Sequence, residues 1–280
     1  MHTTDFQHLP SSQNSQIFLA HYAPCEQSEG VGSQQAVIFV PPFAEEMNRS
    51  KRMYVLCARL LADAGIHSIC FDFAGTGDSS GEWGDYSYQD WKQNLIDVYQ
   101  FAKKITPTIN LITLRDSALI SLDLIKLNEI HIDKCVMWDP IDNGEALIRQ
   151  LVRMKIASAM ADDLKKITTQ EVSESIEKEG YLEVGGYHVS SDLIDCIKSQ
   201  KISDSFEDAL NSAELHWMTT GKSNNSAKQQ LPISLAKLDL SEKLLAQLTL
   251  HSVNDVRFWM QQEVTISPVL LRETKMVFIT

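Results

Sequence analysis

The sequence lacks the features that mark several specialised classes of protein. Its five cysteines are odd in number and include no Cys-x-x-Cys pair, so no disulfide framework is expected. No apolar run is followed by a phosphate-binding P-loop or a Gly-x-Gly-x-x-Gly turn, and His2, His8, His21 and His131 are not spaced as metal ligands. We therefore expect neither a metal nor a cofactor.

Positive charge and long apolar runs are also scarce. The formal net charge is -12 and no basic stripe is present, which argues against unaided binding to nucleic acid or to an anionic membrane. No apolar run approaches the ~20 residues of a membrane span, and the first residues do not form a basic-then-apolar signal region. These absences predict a cytoplasmic protein, and the unpaired cysteines fit a reducing compartment.

What the sequence does contain is an alternation of apolar runs and amphipathic helical stripes. Ala36–Val40, Ile66–Phe73 and Lys134–Pro140 are apolar runs suited to strands that are covered on both faces. The strand pattern resumes at Ala213–Thr219 and Gln247–Val253. Strands alternating with helices predict an α/β protein with a mostly parallel, doubly wound sheet.

The alternation is interrupted after Asp139 by a charged, mostly helical stretch. It contains one hairpin signal, Tyr181–Val189, in which Gly185 and Gly186 suit a two-residue turn. An insertion of this size between sheet strands is typical of a cap over the ligand-binding edge of the sheet. The predicted organisation is a core in two parts, 1–142 and 206–280, with a helical cap at 143–205.

A short segment, Asn110–Ser121, changes abruptly from an apolar run to a helical pattern. In α/β-hydrolases this strand-turn-helix corner carries the catalytic nucleophile between two small residues. Here Thr113 and Ser117 are the small residues, and the side chain between them is Arg115. A guanidinium stays protonated and cannot attack a carbonyl, so the sequence predicts a hydrolase scaffold whose nucleophile has been replaced.

The other two members of a catalytic triad are also missing from their expected loops. An acid is expected after the strand that ends near Thr219, but 220–226 contains no carboxylate. A histidine is expected after Val253, but 254–259 contains none. A displaced triad is an alternative, with Ser117 or Asp116 as nucleophile, His251 as base and Asp139 as acid, although such a nucleophile would lose the strained corner and its adjacent backbone donor.

Arg115 itself has two interpretations, which are compatible if a ligand displaces the partner. It binds a carboxylate or phosphate through two parallel N–H bonds, or it pairs with Glu45 or Glu46 from the neighbouring strand end, because an unpaired buried cation is costly. Pro41 and Pro42 have no N–H to offer a carbonyl oxygen, which leaves Phe43 as the donor. The candidate ligand pocket comprises Arg115, Phe43, Glu45, Glu46, Asp139 and Trp259.

Several segments together resemble one family. They are Pro41–Met53, Phe71–Ser79, Trp138–Pro140, Leu182–Tyr187 and Phe258–Glu263, and they resemble the type 2 exosortase A system-associated hydrolases of exopolysaccharide-producing Gram-negative bacteria. In that family the corner usually reads Gly-Leu-Arg-x-Gly, which matches Arg115 but not Thr113 and Ser117. The resemblance implies an α/β-hydrolase fold, serine aminopeptidase-like, in a protein encoded beside a membrane protein-sorting transpeptidase.

Taken with the three vacant triad positions, the resemblance implies a degenerate hydrolase. It would bind a carbonyl- or carboxylate-bearing ligand, or a protein of the exosortase A locus, and it could form an oligomer. The alternative is an active esterase, thioesterase or peptidase that uses the displaced groups.

Overall fold

The computed structural model describes residues 2–25, 34–161, 167–221, 232–238, 240–261 and 263–279. The strands are β1 (His2–Pro10), β2 (Gln16–Pro24), β3 (Gln35–Val40), β4 (His67–Phe71), β5 (Thr108–Leu114), β6 (Lys134–Trp138), β7 (Tyr181–Val184), β8 (Tyr187–Ser190), β9 (Glu214–Thr220) and β10 (Thr249–Val253). The helices are α1 (Ala44–Ala62), α2 (Tyr88–Ile105), α3 (Ser117–Lys126), α4 (Gly144–Ala161), α5 (Thr169–Glu179), α6 (Ser191–Ser199), α7 (Ser203–Ser212), α8 (Ile233–Ala236), α9 (Glu242–Leu245) and α10 (Pro268–Ile279).

Eight of the strands form one sheet in the order β1-β2-β4-β3-β5-β6-β9-β10. In this order the six strands from β4 to β10 are parallel to one another, whereas β1 and β2 form a hairpin at one edge and β2 pairs with β4 in antiparallel direction. The predicted mostly parallel α/β sheet is therefore confirmed. All the carboxyl ends of β3, β5, β6 and β9 meet at one edge, which we call the carboxyl edge.

Helices cover both faces of this sheet. On one face α1 and α10 contribute apolar side chains such as Met53, Leu61 and Leu270 to a buried cluster. On the other face α2 and α3 supply Trp91, Leu95 and the buried leucines and isoleucines of α3. Burial on both sides explains why the central strands are apolar at consecutive positions, with none of β3 from Ala36 onward exposed.

The elements α4 to α7, with the hairpin β7–β8, lie between β6 and β9 in the chain. Gly185 and Gly186 form the two-residue turn of that hairpin with φ of 58° and 84°, as predicted from the sequence. Helix α7 packs against α3 of the core, and α4 packs against α6. Among the helices in the described ranges, none is long and apolar enough to cross a bilayer.

Candidate functional site

The corner between β5 and α3 is built around Arg115, whose φ of 56° lies in the left-handed region. Its N–H donates to the carbonyl oxygen of Trp138 at 3.0 Å, which ties the corner to β6. The Ser117 hydroxyl accepts from the Leu114 N–H and donates to the Leu114 carbonyl oxygen, both at 2.9 Å. Ser117 therefore closes the turn, and the corner forms without glycines at the two flanking positions.

Backbone strain is concentrated at the carboxyl edge. Of the six non-glycine residues with positive φ in the described ranges, three follow the ends of β3, β5 and β6, namely Ala44, Arg115 and Asp139. Such conformations cost on the order of 1 to 3 kcal/mol each and are common at functional sites. The edge is therefore strained at the ends of three central strands, and Arg115 occupies the corner between β5 and α3.

The Arg115 side chain is partly satisfied by its surroundings. One terminal nitrogen donates to the Asp139 carbonyl oxygen at 3.2 Å, and the guanidinium carbon lies 5.9 Å from the centre of the Trp259 ring. Its Nε is 3.5 Å from Glu46 Oε2, yet within the described structure neither of these two buried atoms has a hydrogen-bond partner. The Arg115–Glu46 pair is thus a charge contact, and each member keeps one free polar atom.

The two predicted glutamate partners of Arg115 behave differently. Glu46 contacts Arg115, and its other carboxylate oxygen accepts from Gln150 of α4 at 2.9 Å. Glu45 lies 3.3 Å from Arg49, one turn along α1. Of the two predicted alternatives, Glu46 is therefore the one that contacts Arg115, and Glu45 pairs with Arg49.

A cavity of about 230 Å³ lies beside this group, between the start of α1, helix α4 and the segment after β10. Its polar lining comprises Glu45, Glu46, Arg49 and Gln150. Its apolar lining includes Leu147, Leu151, Met154, Trp259 and Met260. The cavity therefore offers charged groups at one side and an apolar wall at the other.

Asp116 is the second charged group of the corner. The backbone N–H of Phe43 donates to its two carboxylate oxygens at 3.1 and 3.3 Å. Although the residue as a whole keeps some exposed surface, its carboxyl group is enclosed, and this burial raises the pKa of Asp116 to about 7. The nearby Glu46 carboxylate adds to the increase, while hydrogen bonds from the N–H groups of Phe43 and of Asp116 itself oppose it.

Asp139 ends β6, and its carboxylate is bound to the end of β9. It accepts a hydrogen bond from the Thr220 N–H at 2.8 Å and another from the Thr220 hydroxyl. Burial raises the pKa of Asp139, opposed first by the two bonds from Thr220 and then by the positive charges of Arg257 and Arg115. Arg257 also donates its Nε–H to the Thr220 carbonyl oxygen at 3.0 Å.

The structure does not bring the displaced triad together. The His251 Nε2 atom is 3.0 Å from His216 Nδ1, and both rings lie on the sheet face that α10 covers. The Ser117 hydroxyl is committed to Leu114, and the Asp139 carboxylate to Thr220. Within the described residues, no hydrogen bond joins Ser117 or Asp116 to His251.

Sequence reasoning missed three contributors to the site: Thr220, Arg257 and Gln150. Thr220 is the last residue of β9 and Arg257 follows β10, close to where the sequence analysis expects an acid and a histidine. The signal for Thr220 was its position at a strand end beside Asp139. Residues 222–226 of the loop predicted to lack the acid lie outside the described residues.

Comparisons with known proteins were made at the levels of sequence and structure. No family model and no curated protein matches the chain. Among solved structures, Est1E from Butyrivibrio proteoclasticus, determined with bound ferulic acid, is 12% identical with a TM-score of 0.60, over 97% of this chain and 96% of that one. An α/β hydrolase from Sphaerobacter thermophilus is 14% identical with a TM-score of 0.54, over 98% of this chain and all of that one.

A third solved structure is the protein XC6422 from Xanthomonas campestris, described as an α/β serine hydrolase without a lid. It is 14% identical with a TM-score of 0.53, over 99% of this chain and 92% of that one. At such low identity the likeness concerns the fold alone, and it agrees with the mostly parallel eight-stranded sheet and its flanking helices. The chain has the α/β-hydrolase fold.

Proposed function

We propose that this protein is a catalytically degenerate member of the hydrolase fold that binds a small carboxylate ligand at Arg115. The observation that carries the proposal is the guanidinium at the strained corner, where a hydrolase presents its nucleophile. The proposed ligand-pocket residues are those predicted from the sequence, with Glu46 contacting Arg115 and Glu45 pairing with Arg49. Residues 143–205 act as the cap, between core segments 1–142 and 206–280.

Covalent catalysis is disfavoured by what surrounds the corner. A nucleophile needs a base within hydrogen-bonding reach, and Arg115 can serve as neither. Ser117 uses its hydroxyl to close the turn. His251 bonds to His216 on the α10 face. No observation favours the alternative of an active esterase, thioesterase or peptidase.

Anion binding is favoured by the unused atoms beside the cavity. Arg115 Nε–H and Glu46 Oε2 are both buried without a hydrogen bond inside the described chain, so the contact between them is replaceable. A ligand carboxylate would gain charge-assisted hydrogen bonds from the guanidinium. If a ligand displaced Glu46 from Arg115, Glu46 would keep the hydrogen bond that Gln150 donates to it.

The apolar wall indicates what the carboxylate is attached to. The cavity of about 230 Å³ is below the usual range for drug-sized ligands, and its apolar side is formed by α4 residues together with Trp259 and Met260. A short or medium acyl chain fits this arrangement of one charged end and one apolar end. We therefore assign the ligand to the short-chain carboxylic acids.

The cellular setting proposed here is the exosortase A and exopolysaccharide system, with the protein in the cytoplasm. It is supported by the resemblance of the Pro41–Met53 segment and the four other segments to that family. Examination of the genes on either side for a membrane transpeptidase tests it. The absence of a neighbouring transpeptidase gene would contradict the proposed cellular setting, but it would not affect the proposed ligand site.

The experiment on the ligand site compares hexanoate with hexanol by calorimetry, using the parent, Arg115→Ala, Arg115→Lys and the exposed-surface control Arg272→Ala. We expect hexanoate to bind and hexanol to bind at least about tenfold more weakly, since the charge-assisted bonds are lost. Arg115→Ala should abolish the preference and Arg115→Lys should restore part of it. Equal hexanoate affinity in the parent and Arg115→Ala would refute the proposal.

The same preparations should be incubated with short-chain p-nitrophenyl esters and acyl thioesters. No turnover above background is expected. Turnover that is lost in Ser117→Ala, Asp116→Asn or His251→Ala would instead establish the active-hydrolase alternative.

A further inference from the structure

The Asp116 carboxylate lies against the backbone donors that α/β-hydrolases use for catalysis. In that fold the developing oxyanion is held by the N–H of the residue after the nucleophile and by an N–H from the loop that follows β3. In this chain those two donors belong to Asp116 and Phe43. The Phe43 N–H donates to the Asp116 carboxylate at 3.1 and 3.3 Å, and the N–H of Asp116 also stabilises that carboxylate.

We propose that Asp116 is a built-in occupant of the oxyanion hole, so that its own side chain fills the site that an acyl or carboxylate oxygen would use. Acyl transfer is thereby blocked at a second point, independently of the missing nucleophile. The inference does not rest on ligand binding at Arg115, whose charge contact is with Glu46.

Ordinary helix capping does not explain this contact. A capping aspartate accepts hydrogen bonds from the amides two or three residues along its own helix. Asp116 precedes α3, yet its side chain makes no such bond, and its backbone is already helical with φ of -73° and ψ of -23°. The carboxylate instead reaches across to Phe43, in a different segment of the chain.

The cavity next to Asp116 has little room for a carbonyl oxygen. The adjoining cavity, lined by Pro41, Pro42, Phe43 and Trp83, has a volume of about 30 Å³, room for a water molecule rather than an acyl group. Proline has no N–H to donate. An entering oxygen would therefore have to take the Phe43 N–H from Asp116.

Chemical complementation tests the inference directly. Asp116→Ala removes the carboxylate and opens a site of carboxylate size, whereas the control Asp123→Ala removes a carboxylate of the same helix that pairs with Lys92. Melting temperatures are compared in equal concentrations of sodium formate and sodium chloride. We expect formate to raise the melting temperature of Asp116→Ala above its value in chloride, with no such difference in the parent or in Asp123→Ala.

An equal response to formate in the parent and Asp116→Ala, or no response in either, would overturn the proposal. If Asp116→Ala does not fold, the parent and Asp116→Asn provide a second measurement. The Phe43 amide resonance of the parent should shift as the Asp116 carboxyl titrates, and this titration should vanish in Asp116→Asn. A Phe43 amide that is insensitive to pH in the parent would contradict the contact.

Discussion

Two halves of the carboxyl edge differ in what they retain of a hydrolase. On the side of β3 and β5 the backbone keeps the strained corner, with positive φ at Ala44 and Arg115. On the side of β9 and β10, where the sequence predicts the sites of an acid and a histidine, Thr220 and Arg257 bond to each other and, through Thr220, to Asp139. The strained backbone is therefore found on the side of β3 and β5, and polar contacts of Thr220 stabilise the side of β9 and β10.

The difference shows that backbone shape and side-chain chemistry are separable in this fold. The corner is specified by hydrogen bonds to Trp138 and Leu114, which do not depend on the side chain at position 115. The acid and the base of a triad, by contrast, act only through their side chains. Replacing them leaves the sheet intact, provided that the buried polar groups find partners.

The largest expected effect concerns Asp116 and pH. Because its folded-state pKa is raised to about 7, the folded protein holds a proton that the unfolded chain releases near pH 4. Protonated Asp116 therefore contributes less stability as pH rises from about 4 to about 7, by at most about 1.4 kcal/mol per pH unit. Its contribution changes little above about pH 7. Asp116→Asn should gain stability relative to the parent over this range in urea unfolding.

The matched control for that measurement is Asp123→Asn, which changes a carboxylate on the same helix. Its stability difference from the parent should not follow the same pH course. Parallel pH profiles of Asp116→Asn and the parent would show that Asp116 is charged throughout.

On the other side of the edge, Asp139→Ala should destabilise the protein by roughly 2 to 3 kcal/mol. The substitution leaves the Thr220 N–H and hydroxyl without their charged acceptor in a buried setting. Asp139→Asn keeps one acceptor oxygen and should lose about half as much. Urea midpoints check both values, and an unchanged midpoint for Asp139→Ala would mean that water replaces the carboxylate without cost.

Arg115→Ala should cost about 1 to 2 kcal/mol. A fully buried ion pair loses more, but this side chain is 25% exposed and makes a charge contact, not a hydrogen bond, with Glu46. Arg115→Lys should recover part of the loss, and Glu46→Gln should lose no more than Arg115→Ala. A loss above about 3 kcal/mol would indicate a tighter pair than the structure shows.

Two histidine pairs that lie away from the edge should give an effect whose direction with pH is opposite to that of Asp116. Burial, helped by the neighbouring His67, lowers the pKa of His21 to about 4, and burial also lowers the pKa values of His67, His216 and His251. Between these pH values the unfolded chain binds protons that the folded protein does not bind, so the protein loses stability as pH falls from about 6.5 towards 4.

His21→Asn should reduce this acid loss, measured as the difference between melting temperatures at neutral and acid pH. His8→Asn, at an exposed position, is the control. If both variants lose as much stability in acid as the parent, the His21–His67 contact at 3.0 Å does not control acid unfolding.

The sheet could be predicted from the sequence because apolar runs and helical stripes alternate over most of the chain. The sequence pattern could not predict which of the two glutamates pairs with Arg115. Glu45 and Glu46 are neighbours in the first turn of α1, which begins at Ala44. Successive residues of a helix point about 100° apart. Whether Glu45 or Glu46 faces Arg115 therefore depends on helix placement that periodicity does not supply.

His251 illustrates a second limit of sequence reasoning. Its position near the end of the last strand made it a candidate base. Side chains alternate between the two faces of a strand, and His251 shares a face with Val253, which is buried under α10. The face is set by strand register, which no local pattern around His251 reveals.

The hydrogen bond from Gln150 to Glu46 joins α4 of the inserted segment to the only carboxylate that contacts Arg115 among the described residues. Any molecule that competes with Glu46 for the guanidinium also changes how firmly α4 is held. Linkage requires the converse to the same extent, so a change that loosens α4 alters the affinity at Arg115 by an equal factor. Because Gln150 also lines the cavity, Gln150→Ala would change both the attachment of α4 to Glu46 and the polar wall of the site.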